Sequence, residues 1–302
     1  MFSSMNFLFV MRLTAWQPAV NMKNPDLGTW LKIATARLSS KSEFPSIEAA
    51  VISSFVLQKT REWVIAHPET ALNEEQLTAL DDAIDRLLNE EPLAYIIGRR
   101  SFYGLDLLVD HRVLVPRPET ELLVDLAIDW LKTNPDKTRV VDVGTGSGAI
   151  AISLACELSG LKITAIDASH DALAVAHANA ALHKVEQRIQ FIQNDLLEGI
   201  DEQFDLVLAN LPYIPTQDVD HAPGLTHEPR LALDGGSDGL RLINKLILSC
   251  ANSLAQNGCV ILELQYNQWE VVQKFALELY PQAIISIHQD LAAHPRVVRI
   301  QT

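Results

Sequence analysis

From Arg139 to the end, short β-branched runs alternate with helical stretches, and this constrains the fold more than any other feature of the chain. The runs are "RVVDVG", "KITAID", "RIQFIQND", "FDLVLAN" and "GCVILELQ". Between the first three lie "AIAISLACEL" and "SHDALAVAHANAAL", and "GLRLINKLILSCANSLA" precedes the fifth. Strand–helix alternation of this kind predicts an α/β fold: a parallel sheet with helices on both faces. "AIISIHQD" and "RVVRIQT" are too close in sequence for a crossover helix, so an antiparallel hairpin should close the sheet.

The first third is organised differently. "TWLKIATARLSSK", the run from Ser46 to Ile65 and "NEEQLTALDDAIDRLLNE" carry apolar residues at helical spacing, with no strand signal. Ser46 and Asn73 are the expected N-caps of the second and third of these. The expected organisation is a loose leader over 1–25, with Met5, Met11 and Met22 as alternative starts, and a small all-α domain over 26–98. A β-hairpin linker over 99–118 and the α/β domain over 119–302 follow. The helical domain either steadies the fold or binds a partner.

Composition narrows the function. Among 302 residues, 48% are hydrophobic and the formal net charge is −14, which disfavours a nucleic acid as main partner. No apolar run reaches membrane-spanning length, and the opening residues lack the basic region and cleavage site of a signal peptide. Cys156, Cys250 and Cys259 have neither C-x-x-C spacing nor a histidine cluster beside them. A cytoplasmic protein without a metal site is expected.

"VVDVGTGSGAIAISLA" reads as strand, glycine turn and helix. Gly144, Gly146 and Gly148, with Thr145 and Ser147 between them, allow a sharp turn and a close backbone approach to a ligand. The following helix N-terminus presents free N–H groups there. No Gly-Lys-Ser/Thr follows, so this is not a P-loop. Ser147 lacks flanking glycines two residues to each side, so it is not a nucleophile elbow. Asp167, at the next strand's carboxyl end, fits ribose hydroxyls. Asp195 at the third strand's tip can accept from an adenine amino group, with Leu196 packing on the ring. NAD(P) and S-adenosylmethionine both satisfy these features.

The fourth strand ends "ANLPYIP", and the tip of such a strand faces the reactive end of a cofactor at the switch point. Asn210 offers one acceptor and one donor group. Pro212 stiffens the chain and extends Leu211, leaving the carbonyl of 211 or 212 as a second acceptor. Tyr213 offers a flat surface. Asn210, Leu211, Pro212 and Tyr213 together can hold a planar –NH₂ group, with Asn210 also bordering the cofactor. Asn210, Pro212 and Tyr213 are the expected catalytic residues. Two acceptors direct the nitrogen lone pair toward an electrophilic methyl, and hydride transfer has no use for such a pair.

These motifs, together with "EPLAYIIGRRSFYG", "VPRPETELLV", "EPRLALDGGSDGL", "ILELQYNQ" and "DLAAHPRVV", resemble those of the HemK-type methyltransferases. That family methylates the glutamine of the Gly-Gly-Gln motif in peptide chain release factors, and the likeness runs from about Leu27 onward. It implies a Rossmann-like class I methyltransferase that binds S-adenosylmethionine at Gly144–Gly148, Asp167, Asp195 and Leu196. It also implies that Asn210–Tyr213 grip the glutamine amide and that the N-terminal helices recognise the release factor. A cytoplasmic monomer acting on protein, without direct nucleic-acid or membrane binding, is expected. Adenine N6-methylation of RNA or DNA is the alternative use of the same chemistry. Three positions depart from the family form: Leu211 in place of proline, Glu263-Leu264-Gln265 in place of Glu-Ile-Gly, and Leu196 where some members carry an aromatic residue. Arg117, Glu119 and Glu121 could line the methionine end of the cofactor, and Glu228 and Arg230 could close a loop over the substrate.

Overall fold

The structure, a computed structural model, describes residues 24–302 apart from 222. Almost all of the expected leader therefore lies outside the described residues. The chain divides into two compact units, one ending at Asp85 and one beginning at Arg86.

The first unit is helical. Helix α1 (Leu27–Leu38) starts at Asp26, whose carboxylate accepts from Thr29 N at 2.8 Å. The continuous helix expected from Ser46 to Ile65 is instead two: α2 (Pro45–Leu57) and α3 (Arg61–Ala66). Ser46 is not the cap. Pro45 begins α2 because a proline's fixed φ and missing N–H suit a first helical position, with Phe44 as the preceding residue. Gln58 in a left-handed conformation (φ 52°) ends α2, and the Thr60 hydroxyl caps α3 by accepting from Trp63 N. Helix α4 (Glu74–Leu88) opens with a reciprocal capping box, Asn73 N to Gln76 Oε1 at 3.0 Å and Gln76 N to Asn73 Oδ1 at 2.8 Å. Leu27, Trp30, Ile52, Val64, Leu80 and Ile84 are buried and form the core of this unit.

The second unit starts with α5 (Leu93–Ile97), ended by left-handed Gly98, and the hairpin β1 (Arg99–Phe102) and β2 (Leu105–Leu108). The two-residue turn is Tyr103-Gly104, both with positive φ (49° and 72°), the geometry that matches strand twist. A 3₁₀ turn over Pro118–Thr120 leads into α6 (Glu121–Thr133). Then come β3 (Arg139–Val143), α7 (Ala149–Glu157), β4 (Lys162–Asp167), α8 (His170–Leu182), β5 (Ile189–Gln193) and β6 (Phe204–Ala209). After a longer connection holding the short α9 (Thr216–Asp220) follow α10 (Arg241–Ser253), β7 (Leu254–Glu263), α11 (Trp269–Leu279), β8 (Ile284–Gln289) and β9 (Pro295–Gln301).

The seven strands of the main sheet run β5-β4-β3-β6-β7-β9-β8. The pairs from β5 to β7 are parallel, and β9 is antiparallel to both β7 and β8. Side chains alternate by face. Val140, Leu206 and Leu208 pack with Leu123 and Leu131 of α6 and Ile152 and Leu154 of α7. Val141, Val143, Val207 and Ala209 pack with Ile243 and Ile247 of α10 and Val272 of α11. With both faces covered, all six residues of β6 are buried, as expected for an inner parallel strand. The chain leaves β3 first toward β4 and β5, then returns to β6 on the other side. That reversal opens a crevice at the carboxyl ends of β3 and β6.

Candidate active site

The crevice holds a cavity of about 470 Å³, the size of a small-molecule site. Its wall is built by the glycine turn after β3, Asp167 after β4, Asn194–Leu196 after β5, Asn210–Pro212 after β6, and Pro116, Arg117 and Thr120, with Glu119 not on it.

The glycine turn does three separate jobs. Gly144, Gly146 and Gly148 all have positive φ (75°, 55° and 83°). A Cβ on Gly144 would stand 2.9 Å from Leu211 Cδ2, so the missing side chain makes room for the strand-end leucine. A Cβ on Gly146 would meet nothing within 4 Å, so the constraint there is conformational, on a residue of the cavity wall. A Cβ on Gly148 would lie 2.7 Å from Ile152 Cδ1 and 3.2 Å from Ala176 Cβ. The structure thus places Gly148 in the packing of α7 on α8, whereas Gly144, Thr145, Gly146 and Ser147 line the cavity.

Beneath the turn lies Asp142, fully buried. Its Oδ2 accepts from the Thr145 hydroxyl at 2.7 Å and from Ala151 N at 3.2 Å, tying the loop to the first turn of α7. Burial raises its pKa to about 7. Nothing in the local pattern marked Asp142 as anything but a strand residue. Asp167 accepts from Gly146 N through Oδ2 and from Ser169 N through Oδ1, both at 2.9 Å. Burial raises its pKa against those N–H bonds. Ser169 caps α8 by accepting from Ala172 N.

The β5 tip differs. Asp195 forms an exposed ion pair with Lys245 of α10 at 2.5 Å, a partner fifty residues further along the chain that no local pattern announces. Leu196 is buried on the cavity wall in a left-handed conformation (φ 53°).

At the β6 tip, Asn210 lines the cavity and its Nδ2 donates to Thr120 Oγ1 at 2.9 Å. Leu211 is buried under Gly144, which explains how a leucine serves where the family form has proline: its side chain anchors the segment by packing. Pro212 O faces Gly235, where a Cβ would come within 2.6 Å, and Tyr213 O accepts from Gln268 Nε2 at 3.0 Å. Tyr213 is not on the cavity wall; its hydroxyl donates to Glu263 at 3.3 Å. Arg117 lines the cavity and donates to the buried Glu228 at 2.5 Å, joining the "PRPET" and "EPR" segments. Arg230 pairs with Asp220 and Asp234 instead. Glu121 accepts from Tyr103 N at 2.8 Å, binding the hairpin to α6. Among the described residues no cluster of histidine, cysteine, aspartate and glutamate could hold a metal ion.

A seven-stranded sheet of this order, with a glycine turn at its switch point, is the class I methyltransferase fold. The methyltransferase small domain family matches residues 120–228, and the PrmC N-terminal domain family matches 29–98. The hMettl16 catalytic domain, solved with the MAT2A 3'UTR hairpin 6, shares the fold at a TM-score of 0.52 and 14% identity, over 76% of this chain and 82% of that one. The chain belongs to the release factor glutamine methyltransferase family. It is 37% identical over 233 residues to the Lactococcus lactis release factor glutamine methyltransferase, covering 76% of this chain and 84% of that protein. It is also 35% identical over 284 residues to a bifunctional methyltransferase of Rickettsia bellii, covering 85% of this chain. The chain spans about half of that relative, 51% of its length.

Proposed function

We propose that this protein transfers a methyl group from S-adenosylmethionine to the side-chain amide nitrogen (N5) of the glutamine in the Gly-Gly-Gln motif of peptide chain release factors. The observation that carries this reading is Asn210. It stands on the cavity wall beside the glycine turn with its amide nitrogen committed to Thr120. The oxygen is the end left to accept from a substrate –NH₂.

The glycine turn fits the cofactor, because Gly144 and Gly146 take left-handed backbone conformations on the cavity wall, where a nucleoside would meet main-chain atoms. Asp167 would accept from the ribose hydroxyls with the lone pairs its two N–H donors leave. Asp195 and Leu196 would border the adenine. When bound, S-adenosylmethionine supplies an activated methyl on a sulfonium.

The residues of the β6 tip do the rest. Asn210 Oδ1 takes one hydrogen of the glutamine –NH₂. The Leu211 carbonyl takes the other, since those of Pro212 and Tyr213 are packed against Gly235 and bonded to Gln268. Holding both hydrogens turns the nitrogen lone pair toward the methyl, and the acceptors stabilise the positive charge that grows on nitrogen. Transfer would leave the cofactor as S-adenosylhomocysteine, and the alkylated amide would shed its proton to water without a strong base. Pro212 stiffens this grip, and Tyr213 braces it from behind through Glu263.

The first unit supports a recognition role. Phe44, Ile47 and Phe55 are exposed by 60%, 48% and 42%, and with half-buried Val51 they form one apolar stripe along α2. Helical spacing puts Ile47, Val51 and Phe55 on one face, with Phe44 just ahead of the helix. Recognition of the release factor by residues 26–98 would use such a stripe, with the catalytic residues confined to 119–302. The enzyme would work as a cytoplasmic monomer on a protein substrate. The charge of −14 supports the preference for protein over nucleic acid, and among the described residues no helix is long and apolar enough to cross a membrane.

The test is radiolabelled methyl transfer to a purified release factor, with its Gly-Gly-Gln glutamine changed to alanine and ribosomal RNA as controls. Label on the wild-type factor alone supports the reading; label on RNA and not on the factor overturns it.

A further inference from the structure

Behind Asn210 runs a chain of hydrogen bonds that the sequence did not announce. The Thr120 hydroxyl, which accepts from Asn210 Nδ2 at 2.9 Å, itself donates to Glu263 Oε2 at 2.6 Å. The other carboxylate oxygen, Oε1, accepts from the Tyr213 hydroxyl at 3.3 Å. Thr120 and Glu263 are both buried. These residues come from the turn before α6, the end of β7 and the loop after β6, so only the tertiary fold brings them together.

The direction of each bond follows from donor counting. An ionised carboxylate only accepts, and a hydroxyl has one hydrogen to give. Once Thr120 gives that hydrogen to Glu263, only a donor can face its oxygen on the other side. The Asn210 carboxamide must then turn its –NH₂ toward Thr120, which leaves its oxygen toward the cavity. Without the carboxylate, the threonine hydrogen could go to Asn210 Oδ1 and the amide would flip, presenting a donor to a substrate that also offers only donors.

We infer that Thr120 and Glu263 are positioning residues that hold the Asn210 carboxamide in the orientation needed to accept a hydrogen from the methyl-accepting nitrogen. This rests on the methyl-transfer reading above and names two residues, neither of them in the Asn-Leu-Pro-Tyr motif, on which that reaction depends. The groups that face Glu263 are Thr120 and Glu119 of the turn before α6, Tyr213 of the β6 loop and Arg296 of β9. Burial raises the Glu263 pKa to about 7 against the Thr120 and Tyr213 hydrogen bonds and the Arg296 charge, while Glu119 adds to the rise. Burial also pushes up the Tyr213 phenol, so it remains a donor. The orienting form, with Glu263 ionised, is therefore present above about pH 7 and lost as pH falls through that value.

The experiment uses the full chain with ¹⁵N-labelled asparagine, comparing wild type, Thr120→Ser, Thr120→Val and Glu263→Gln. The Asn210 side-chain resonance is assigned by its loss in Asn210→Ala. In wild type and Thr120→Ser, one Asn210 amide proton should be shifted downfield and exchange slowly; Thr120→Val should abolish this. On the release factor, Thr120→Val should lower kcat about tenfold, the value of one hydrogen bond, with cofactor Kd within about twofold, and Thr120→Ser should restore the rate. Wild-type kcat should decline below about pH 7. Glu263→Gln, whose amide can present either end, should remove that acid limb. A protected Asn210 proton in Thr120→Val, equal kcat in the valine and serine variants, or an unchanged acid limb in Glu263→Gln would overturn the inference. Inactivity of wild type on the release factor would instead sink the functional reading, and the resonance comparison would still decide the orientation.

Discussion

The two walls of the cavity are built by opposite means. The glycine-turn wall is local: Gly144, Thr145, Gly146, Ser147 and Asp142 lie within six positions of one another, and backbone N–H groups and the absence of Cβ atoms shape it. The Asn210 wall is assembled from afar, with Thr120 ninety residues away in sequence from the amide it fixes. A main-chain wall tolerates exchange of its side chains but not of its backbone angles. A side-chain wall has the reverse sensitivity.

The largest effect should come from the side-chain wall. Asn210→Ala should lower kcat by ~10²–10³-fold, the scale for removing one preorganised group at a developing charge. Cofactor affinity should change less than about threefold, measured by calorimetry with S-adenosylhomocysteine, because the other wall is intact. Comparable losses in both quantities would erase the division between the walls.

Gly144→Ala should act the other way, on binding and stability. Its φ of 75° disfavours any side chain, and the new Cβ would press on Leu211 Cδ2. The strain should cost ~1–3 kcal/mol in chemical denaturation and weaken cofactor binding about tenfold. Adding Leu211→Ala should return only the steric part, since the φ strain persists. Non-additivity in that double-mutant cycle would measure how tightly the two walls are coupled.

A smaller effect is expected from pH. Asp142 under one wall and Glu263 behind the other both have folded pKa values raised to about 7 by burial. A carboxyl that holds its proton more tightly when folded stabilises the fold most at low pH. That contribution is complete below the ordinary carboxylate range and lost as pH rises through about 7. The melting temperature should therefore drift down from pH 5 to pH 8, and Asp142→Asn or Glu263→Gln should each flatten part of the slope. For Glu263 the stable form and the orienting form are different protonation states, so stability and turnover should move in opposite directions with pH.

The smallest effect belongs to Lys245→Ala. Its pair with Asp195 is exposed, with side-chain accessibilities of 44% and 58%, and such pairs contribute little. No resolvable shift in melting temperature is expected. A gain in cofactor affinity would show that Asp195 is partly withheld from the adenine by the lysine.

Much of this was legible in the sequence wherever the physics is local. Strand periodicity located β3 to β9 to within a few residues, and the Asn73 cap was readable from residue type alone, although Ser46 was not the cap of α2. The break between α2 and α3 was missed because the apolar spacing continues across it. Only the left-handed turn at Gln58 and the Thr60 cap reveal two helices. In the site, the glycine turn, Asp167 and Asn210 stood out because their spacing is a motif. Thr120, Asp142 and Glu263 did not, because each is an unremarkable residue of its own segment. The family motifs "PRPETE" and the β7 end were in view, with a cofactor-lining role expected for Arg117, Glu119 and Glu121 but none for Thr120 or Glu263.

What the linear order of residues settled, then, was the alternation that makes a parallel sheet, the glycine turn at its switch point, and the strand end that carries a carboxamide. Backbone preference and hydrophobic period act over a few residues, so they can be read along the chain. Which end of that carboxamide meets the cavity was decided only in three dimensions. A primary amide has two faces of nearly equal size, and its choice between them depends on where the hydrogens of Thr120 and Tyr213 go. That is set by a carboxylate on a strand two positions across the sheet from β3.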